Sequence, residues 1–254
     1  MCGRYVITSS PEAIRALFRY LEQPNFPACY NIAPTQPIPV VHLCESNRHF
    51  TLMRWGLIPA WVDDPRCFSL LINARGESLS DKPAFRNAIR RRRCLMPADG
   101  FYEWKALEHG KQPYFVRPRR GGPIAFAGLW ETWIGPNGEE MDTACIITTA
   151  ANRTLAPIHD RMPVVIAPEN FDLWLDCRWE NENAAAGLIA PPSDDLFEAY
   201  EISTAVNRVA NDSPALIAPL QNRESMISTA EPSGIKRKAP GKSKADPEQK
   251  ALPF

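Results

Sequence analysis

The start of the chain carries a pair of groups that can attack an aldehyde. Cys2 follows Met1 directly, and an initiator methionine before a small residue is normally removed during synthesis. Removal leaves Cys2 with a free α-amine and a thiol on adjacent carbons, which no internal residue can offer. The reference pKa is about 7.7–8.0 for the amine and about 8.5 for the thiol, so each has a nucleophilic fraction near neutral pH. An aldehyde can form a Schiff base with the amine and then close onto the sulfur as a five-membered thiazolidine.

Six short strings place polar or aromatic side chains beside predicted strand ends. They are Asn31-Ile32-Ala33-Pro34, Trp55-Gly56-Leu57-Ile58-Pro59-Ala60-Trp61, Asn73-Ala74-Arg75-Gly76-Glu77, Asp99-Gly100-Phe101-Tyr102-Glu103-Trp104, Thr148-Thr149-Ala150-Ala151 and His159-Asp160-Arg161-Met162-Pro163. Each string alone is weak evidence, but in this order and with Cys2 they are very specific. On these residues the chain resembles the SRAP (SOS response-associated peptidase) family of abasic-site processing proteins, from Cys2 to about residue 220.

The resemblance implies a fold and a reaction. The fold is α+β, a single compact SRAP domain with curved, mainly antiparallel, barrel-like β-sheets, a few flanking helices and a positively charged groove for single-stranded DNA. The reaction is a DNA damage response in which Cys2 captures the deoxyribose of an abasic site and forms a covalent DNA–protein crosslink. Schiff-base chemistry alone is lyase-like and promotes strand cleavage, whereas the thiazolidine shields the site. By motif match, the catalytic residues are Cys2, Asn73, Glu103 and His159.

Three of these residues suit particular steps of the chemistry. Glu103 lies between two aromatic residues, and a carboxyl against aromatic surface has its charged form disfavoured, so it can exchange protons near neutral pH. His159 can protonate the sugar ring oxygen, and its neighbour Asp160 is expected to raise its charged fraction. Asn73 hydrogen-bonds without titrating and is expected to hold the sugar hydroxyl or the Cys2 amine.

Eight further residues are predicted to contact DNA. Arginines near the catalytic set suit the flanking phosphates, because a guanidinium binds two oxygens at once. Flat rings suit stacking on bases, which is worth about 1–3 kcal/mol per base. The predicted DNA-binding residues are Arg4, Asn31, Pro34, Trp61, Arg75, Trp104, Thr148 and Arg161. Trp55 is a further stacking candidate, and Arg90 to Arg93 form either a basic patch or a solvated helix end.

Composition limits the class of protein. The chain has 254 residues, 44% hydrophobic and 23% charged, and a formal net charge of zero, so one globular domain is expected and any nucleic-acid site must come from local clustering. Seven scattered cysteines without a CxxC pair argue against zinc and against a disulfide framework. We expect a monomer with no metal, no cofactor and no membrane partner. It is expected in the cytoplasm, associated with the nucleoid if bacterial, because no signal or spanning segment is evident.

Periodicity predicts the elements that position these residues. A helix is expected over about 11–22, with Ser9 and Glu12 in capping-box spacing, and others over 82–93 and 169–176. A strand pair is expected at 40–44 and 49–55. Further strand-like runs are Cys94–Met96, Phe101–Trp104, Tyr114–Val116, Ile124–Trp130, Ala144–Thr149 and Val164–Ala167. The SRAP domain is expected to span 2–225. A disordered basic tail at 226–254 would attract phosphates or only aid solubility.

Two other classes of function remain open from the residues alone. Glutamine amidotransferases also begin Met-Cys-Gly and attack a carboxamide with the terminal cysteine, although they have no use for the clustered arginines and stacking residues. A related reading is an autoproteolytic peptidase that removes its own Met1. The other class is a non-catalytic single-stranded DNA-binding module in which Cys2 is incidental. Its binding would be salt-sensitive and indifferent to an abasic site.

Overall fold

The computed structural model describes residues 2–178 and 181–220. The strands are β1 (Tyr5–Ile7), β2 (Cys29–Ile32), β3 (Pro37–Cys44), β4 (Asn47–Trp55), β5 (Asn73–Arg75), β6 (Arg93–Ala98), β7 (Gly100–Ala106), β8 (Lys111–Pro118), β9 (Ile124–Ile134), β10 (Glu140–Ala150), β11 (Arg161–Pro163), β12 (Val165–Ile166) and β13 (Phe197–Glu201). The α-helices are α1 (Pro11–Phe18), α2 (Ala88–Arg91), α3 (Phe171–Leu175) and α4 (Glu182–Ala186). The predicted tail at 226–254 lies outside the described residues.

The strands form two sheets. One has the order β13-β8-β7-β1-β2 and is antiparallel throughout. In the other, β10, β4, β3, β6 and β9 pair in sequence and β9 returns to β10, which closes a five-stranded barrel. Strands β5 and β11 add to β10, and β12 adds to β9. Most pairings are antiparallel, so the predicted α+β class with barrel-like sheets is confirmed.

Trp55 belongs to the hydrophobic core and not to a DNA surface. Its side chain is 0% exposed, its indole N–H donates to the Ile72 carbonyl at 3.0 Å, and the Tyr5 ring packs edge-on against it at 5.2 Å. Burying an indole with its N–H satisfied is the usual fate of a core tryptophan. The prediction that Trp55 stacks on a base is therefore wrong.

The first helix is shorter than predicted, and its cap is one residue later. The Ser10 hydroxyl, not that of Ser9, accepts a backbone N–H of the first turn at 3.2 Å. Ser9 instead donates to Asp99. The helix ends at Phe18 because Arg19 adopts the left-handed conformation, with φ at 56°.

In the described part of the chain, no helix has the length and apolar character needed to cross a lipid bilayer.

Only α2 (Ala88–Arg91) is α-helical within the range 82–93 that was predicted as a helix. Arg93 leaves the helix to begin β6, where it is 2% exposed. Its guanidinium donates to the backbone carbonyls of Ile89, Trp174 and Asp176. These three carbonyls replace the water that a buried cation loses. The helical periodicity of the sequence does not continue through Arg93, because this residue pairs into the sheet. The four-arginine run is therefore neither a continuous basic patch nor a simple solvated helix end.

The β3–β4 turn generates a first prediction about stability. Its two central residues, Glu45 and Ser46, have φ values of 48° and 68°, a conformation that favours glycine in two-residue hairpins. Ser46→Gly should raise the free energy of unfolding in urea by about 0.5–1 kcal/mol, because a β-carbon is costly in the left-handed region. Ser213→Gly is the matched control, since its φ of −160° is extended, and it should lower stability slightly. A Ser46→Gly protein no more stable than wild type would contradict this account.

Candidate active site

The chain start is built into the antiparallel sheet. Strand β1 lies between β7 and β2, and Tyr5 pairs with Phe101. The Tyr102 backbone N–H donates to the Arg4 carbonyl at 3.0 Å, so the residues before β1 run antiparallel to the start of β7. Cys2 is 0% exposed, and its thiol donates weakly to the Arg4 carbonyl at 3.8 Å. This pairing brings Cys2 alongside Glu103.

Asn73 reaches the chain start from the barrel. It begins β5, which is held against β10 by pairing with Ile146. Its Nδ2 donates to the Cys2 carbonyl at 2.8 Å. Its Oδ1 is buried and accepts no hydrogen bond from the described residues. Asn73 therefore fixes the backbone of Cys2 and keeps an acceptor for an incoming donor, whereas the sequence predicted contact with the amine or the sugar.

Glu103 has the raised pKa that its aromatic neighbours predicted. The side chain is 1% exposed, and burial raises the pKa of its carboxyl from 4.5 to about 7. The positive α-amino group at the chain start and the Trp104 backbone amide oppose this rise. Near neutral pH the two protonation states are comparably populated, which is the condition that best suits a proton shuttle.

The Cys2 thiol departs from the sequence-based expectation of an ordinary pKa. Burial raises the pKa of this thiol well above its usual range, and the negative charge of Glu103 raises it further. The positive chain start and the Arg4 backbone lower it by less. The thiolate is therefore disfavoured at rest, and nucleophilic attack by sulfur requires a base. Glu103 is the carboxylate whose charge acts most strongly on the thiol.

His159 is closer to neutral than predicted. Burial and the positive chain start lower the pKa of its ring, and the opposing effect of Asp160 does not compensate. The Arg161 backbone N–H donates to Nδ1 at 3.0 Å, and Asp160 Oδ1 lies 2.9 Å from the same nitrogen. We favour the neutral ring, because the lowered pKa agrees with an accepting Nδ1 and leaves the proton on Nε2. Protonation at lower pH would turn Nδ1 into a donor to Asp160.

The strands beside β10 collect three predicted DNA-binding residues. Arg75 is paired with Thr148, and Arg161 is paired with Ala150 two residues further along β10. Arg161 donates to both carboxylate oxygens of Glu77 at 2.8 and 2.9 Å and to the Thr148 carbonyl at 2.7 Å. Thr148 is 0% exposed, so its side chain supports Arg161. Arg75 is exposed and is the cation here that is better placed for a phosphate.

Arg4 and Asn31 are tied to a segment near the end of the described chain. Arg4 donates to Asn31 Oδ1 at 2.7 Å and to the Val206 carbonyl at 2.9 Å. Asn31 is 2% exposed, and its amide nitrogen contacts three backbone carbonyls of residues 206–211. Trp104 is half-buried, and its indole N–H donates to Asn207 Oδ1 at 2.8 Å. Asn31 is thus an anchor of this segment, and Trp104 is a ring fixed in orientation.

The remaining two predicted DNA-binding residues lie on connecting loops. Trp61 is 59% exposed, with the Phe68 ring edge-on at 5.6 Å. A 3-10 turn over Pro65–Cys67 separates it from β5, and stacking of this exposed ring on a base stays a prediction. Pro34 is half-buried in the turn between β2 and β3.

Lys111 is a site residue that the motifs did not reveal. It begins β8 opposite Ala106, across the turn that follows β7. Its positive charge is one of the causes that lower the pKa of His159, so it lies near that ring. No local sequence signal indicates this proximity, because Lys111 and His159 are distant in sequence. Within the described residues, no group of three or more His, Cys, Asp or Glu side chains could hold a metal ion.

Comparison with known sequences relates this arrangement to one family. The family described as SOS response associated peptidase (SRAP) matches residues 1–209. The abasic site processing protein YoqW of Bacillus subtilis is 40% identical over 221 residues, covering 85% of this chain and 99% of that protein. YedK of Escherichia coli, also an abasic site processing protein, is 31% identical over 230 residues, covering 87% and 100%. The abasic site processing protein HMCES of Gallus gallus is 30% identical over 265 residues, covering 87% and 78%.

Solved structures share the fold. A protein from Bacteroides thetaiotaomicron superimposes with a TM-score of 0.77 at 23% identity, covering 87% of this chain and 100% of that chain. A phage-related protein from Bordetella bronchiseptica superimposes with a TM-score of 0.64 at 30% identity, covering 79% and 94%.

The raised pKa of Glu103 generates a second prediction. Folding raises this pKa from 4.5 to about 7, so between these values the folded state binds more protons than the unfolded state. The free energy of unfolding should therefore fall as pH rises through this window. Glu103→Gln removes the buried charge and should be more stable than wild type at pH 8 by about 1–3 kcal/mol, at 1.36 kcal/mol per pKa unit. The difference should shrink towards pH 5.

Urea unfolding at pH 5, 6, 7 and 8 measures this effect. Glu140→Gln is the matched control, since Glu140 is exposed, and its stability should follow that of the wild type at every pH. If wild type and Glu103→Gln have the same pH dependence, the carboxyl does not experience the buried environment described above.

Proposed function

This chain belongs to the SOS response associated peptidase (SRAP) family, and we propose that it processes abasic sites in the DNA damage response by crosslinking itself to single-stranded DNA through Cys2. The observation that carries the proposal is the position of Cys2: it lies buried beside Glu103, with Asn73 bonded to its carbonyl. Cys2 is a buried nucleophile, and the neighbouring Glu103 carboxyl can give and take protons near neutral pH. This combination suits condensation with an aldehyde, which needs proton transfer at each step.

The first step of the proposed reaction opens the sugar. An abasic deoxyribose equilibrates between a closed ring and an open-chain aldehyde, and donation of a proton to the ring oxygen favours opening. His159 carries a proton on Nε2 in the neutral tautomer described above. The free Asn73 Oδ1 is available to accept from the sugar hydroxyl that opening releases.

Condensation follows at the α-amine of Cys2. After removal of Met1, the unprotonated amine adds to the aldehyde carbon and gives a carbinolamine. Glu103 in its acid form protonates the hydroxyl, which leaves as water and produces the Schiff base. The resulting Glu103 carboxylate then takes the proton of the Cys2 thiol. Because the pKa of Glu103 is about 7, one carboxyl can be the acid of the first step and the base of the second. Taking the thiol proton is uphill while burial raises the pKa of Cys2, and the positive charge of the protonated Schiff base lowers that cost.

Ring closure protects the DNA. The thiolate of Cys2 adds to the carbon of the protonated Schiff base and the nitrogen keeps its hydrogen, so aldehyde and aminothiol yield a thiazolidine and one water. The carbon becomes tetrahedral and no longer activates the neighbouring C–H for β-elimination. The thiol therefore turns lyase-like Schiff-base chemistry into a stable cap.

The surrounding surface suits a single strand with extruded bases. Arg75 offers a guanidinium for a flanking phosphate, Trp104 and Trp61 offer rings for stacking, and Pro34 adds an apolar edge. Arg161 would have to release or share Glu77 to bind a phosphate. We propose that the protein acts as a monomer without a cofactor, in the cytoplasm and at the nucleoid in a bacterium.

The peptidase description of the family favours one additional step on the same residues. Attack of the Cys2 thiol on the carbonyl that precedes it would form a thioester with release of the Cys2 amine, and water would then free Met1. Glu103 is placed to accept the thiol proton in this step also. We propose this self-removal as a preparation for crosslinking.

Crosslinking to an abasic oligonucleotide tests the proposed function. Wild type should give an adduct that survives denaturation, and Cys2→Ala should reduce its yield at least about 100-fold, because the nucleophilic sulfur that seals the ring is absent. Cys2→Ser should form a shorter-lived adduct, because an oxazolidine is the poorer cap. Denaturing gel electrophoresis over time measures yield and lifetime.

Cys29→Ala provides the matched control. Cys29 is half-buried on the neighbouring strand β2, and its replacement should leave the adduct unchanged. Equal adduct from wild type and Cys2→Ala would refute the crosslink mechanism. Release of ammonia from glutamine without any adduct would favour the amidotransferase class instead.

A further inference from the structure

We propose that Arg208 is an additional phosphate-binding residue, which extends the DNA site onto the segment that follows β13. This segment, residues 203–212, is called the C-terminal strap below. The inference rests on the proposed function, because it adds one contact to the same single strand.

The strap is anchored from beneath by one buried amide. Asn31 Nδ2 lies 3.3, 3.1 and 2.8 Å from the carbonyl oxygens of Val206, Arg208 and Asn211. The contacts span six residues of strap backbone, from the end of a 3-10 helix over Thr204–Asn207 to Asn211. Because Asn31 is 2% exposed, these bonds are shielded from water. The backbone of Arg208 is therefore held in place although its surroundings are exposed.

The strap is also joined to both sides of the active site. Arg4, two residues after Cys2, donates to the carbonyls of Val206 and Asn207 at 2.9 and 3.4 Å. Trp104, next to Glu103, donates its indole N–H to Asn207 Oδ1 at 2.8 Å. Arg208 thus follows directly a residue that is bonded both to the chain start and to the stacking ring.

The Arg208 side chain is exposed, and its guanidinium has no hydrogen-bond or ion-pair partner among the described residues. This distinguishes it from Arg161, which is held by Glu77, and from Arg4, which is bonded to backbone carbonyls. The nearby acid of the strap, Asp212, accepts the Tyr30 backbone N–H.

The backbone of Arg208 is fixed by hydrogen bonds and its guanidinium has no partner among the described residues, and the two features together favour anion binding. Fixing the backbone in advance lowers the entropy lost when the side chain engages a ligand. A strand whose base stacks on Trp104 presents its phosphates to the adjacent strap, and a guanidinium can bind two phosphate oxygens at once. The chemistry that Arg208 recognises is therefore the phosphodiester backbone and not the abasic sugar.

Binding to an undamaged single-stranded oligonucleotide tests this inference without the crosslinking step. Arg208→Gln should raise the Kd about 3–10-fold, measured by fluorescence anisotropy. It should also reduce the slope of log K against log salt by about 0.7, the value for one phosphate contact on a single strand. Arg208→Lys should keep most of the slope, because a lysine still supplies a point charge. Arg19→Gln, an exposed arginine on the C-cap of α1, should bind as wild type does.

Two results would overturn the inference alone: an Arg208→Gln protein with wild-type Kd and salt slope, or an equal loss in Arg19→Gln, which would indicate a general effect of charge. A wild-type protein that does not bind the undamaged oligonucleotide would overturn this inference alone if it still forms the adduct with abasic DNA, and would overturn the proposed function as well if it forms none.

Discussion

The hydrogen bond from Asn73 to the Cys2 carbonyl is the contact on which the candidate site depends. Backbone pairing with β7 reaches only as far as Arg4, whose carbonyl accepts the Tyr102 N–H, so pairing alone would leave Cys2 and Gly3 free to fray. The bond, 2.8 Å long, fastens them to β5 and through β5 to the closed barrel. Cys2 is thereby held between two sheets. A mobile terminus would lose most of the advantage that positioning gives to the proposed nucleophile.

Burial of this terminus sets the electrostatics. Low solvent access raises the pKa of both the Cys2 thiol and the Glu103 carboxyl, and each negative charge would oppose the other. The pair therefore resists losing both protons at neutral pH. A site that retains one exchangeable proton beside Cys2 suits the proposed condensation, in which protons are repeatedly given and taken. The pKa of His159 is lowered for the same reasons: the ring is partly buried, and the positive chain start disfavours a second positive charge nearby.

The sequence predicted the long elements and the residue types of the site, but not the contacts that join them. The β3–β4 pair was found because alternation and a polar turn are local signals. Strands β1, β5 and β11 have three residues each, too few to show a period, and they form because a neighbouring strand supplies their hydrogen bonds. The role of Asn31 was equally hidden, since its partner Val206 is 175 residues away. The raised pKa of Glu103 was predicted, but its cause is different: successive side chains of a strand point to opposite faces, so the rings of Tyr102 and Trp104 do not bury the carboxyl.

The most direct test of the account is the location of the sugar on the protein. After reaction with abasic single-stranded DNA and digestion of both polymers, mass spectrometry should find the deoxyribose remnant on the peptide that begins with Cys2. That peptide should lack Met1 and contain neither a free amine nor a free thiol at its first residue. Attachment to a lysine, or to a peptide that still carries Met1, would contradict the claim that the enclosed aminothiol performs the capture.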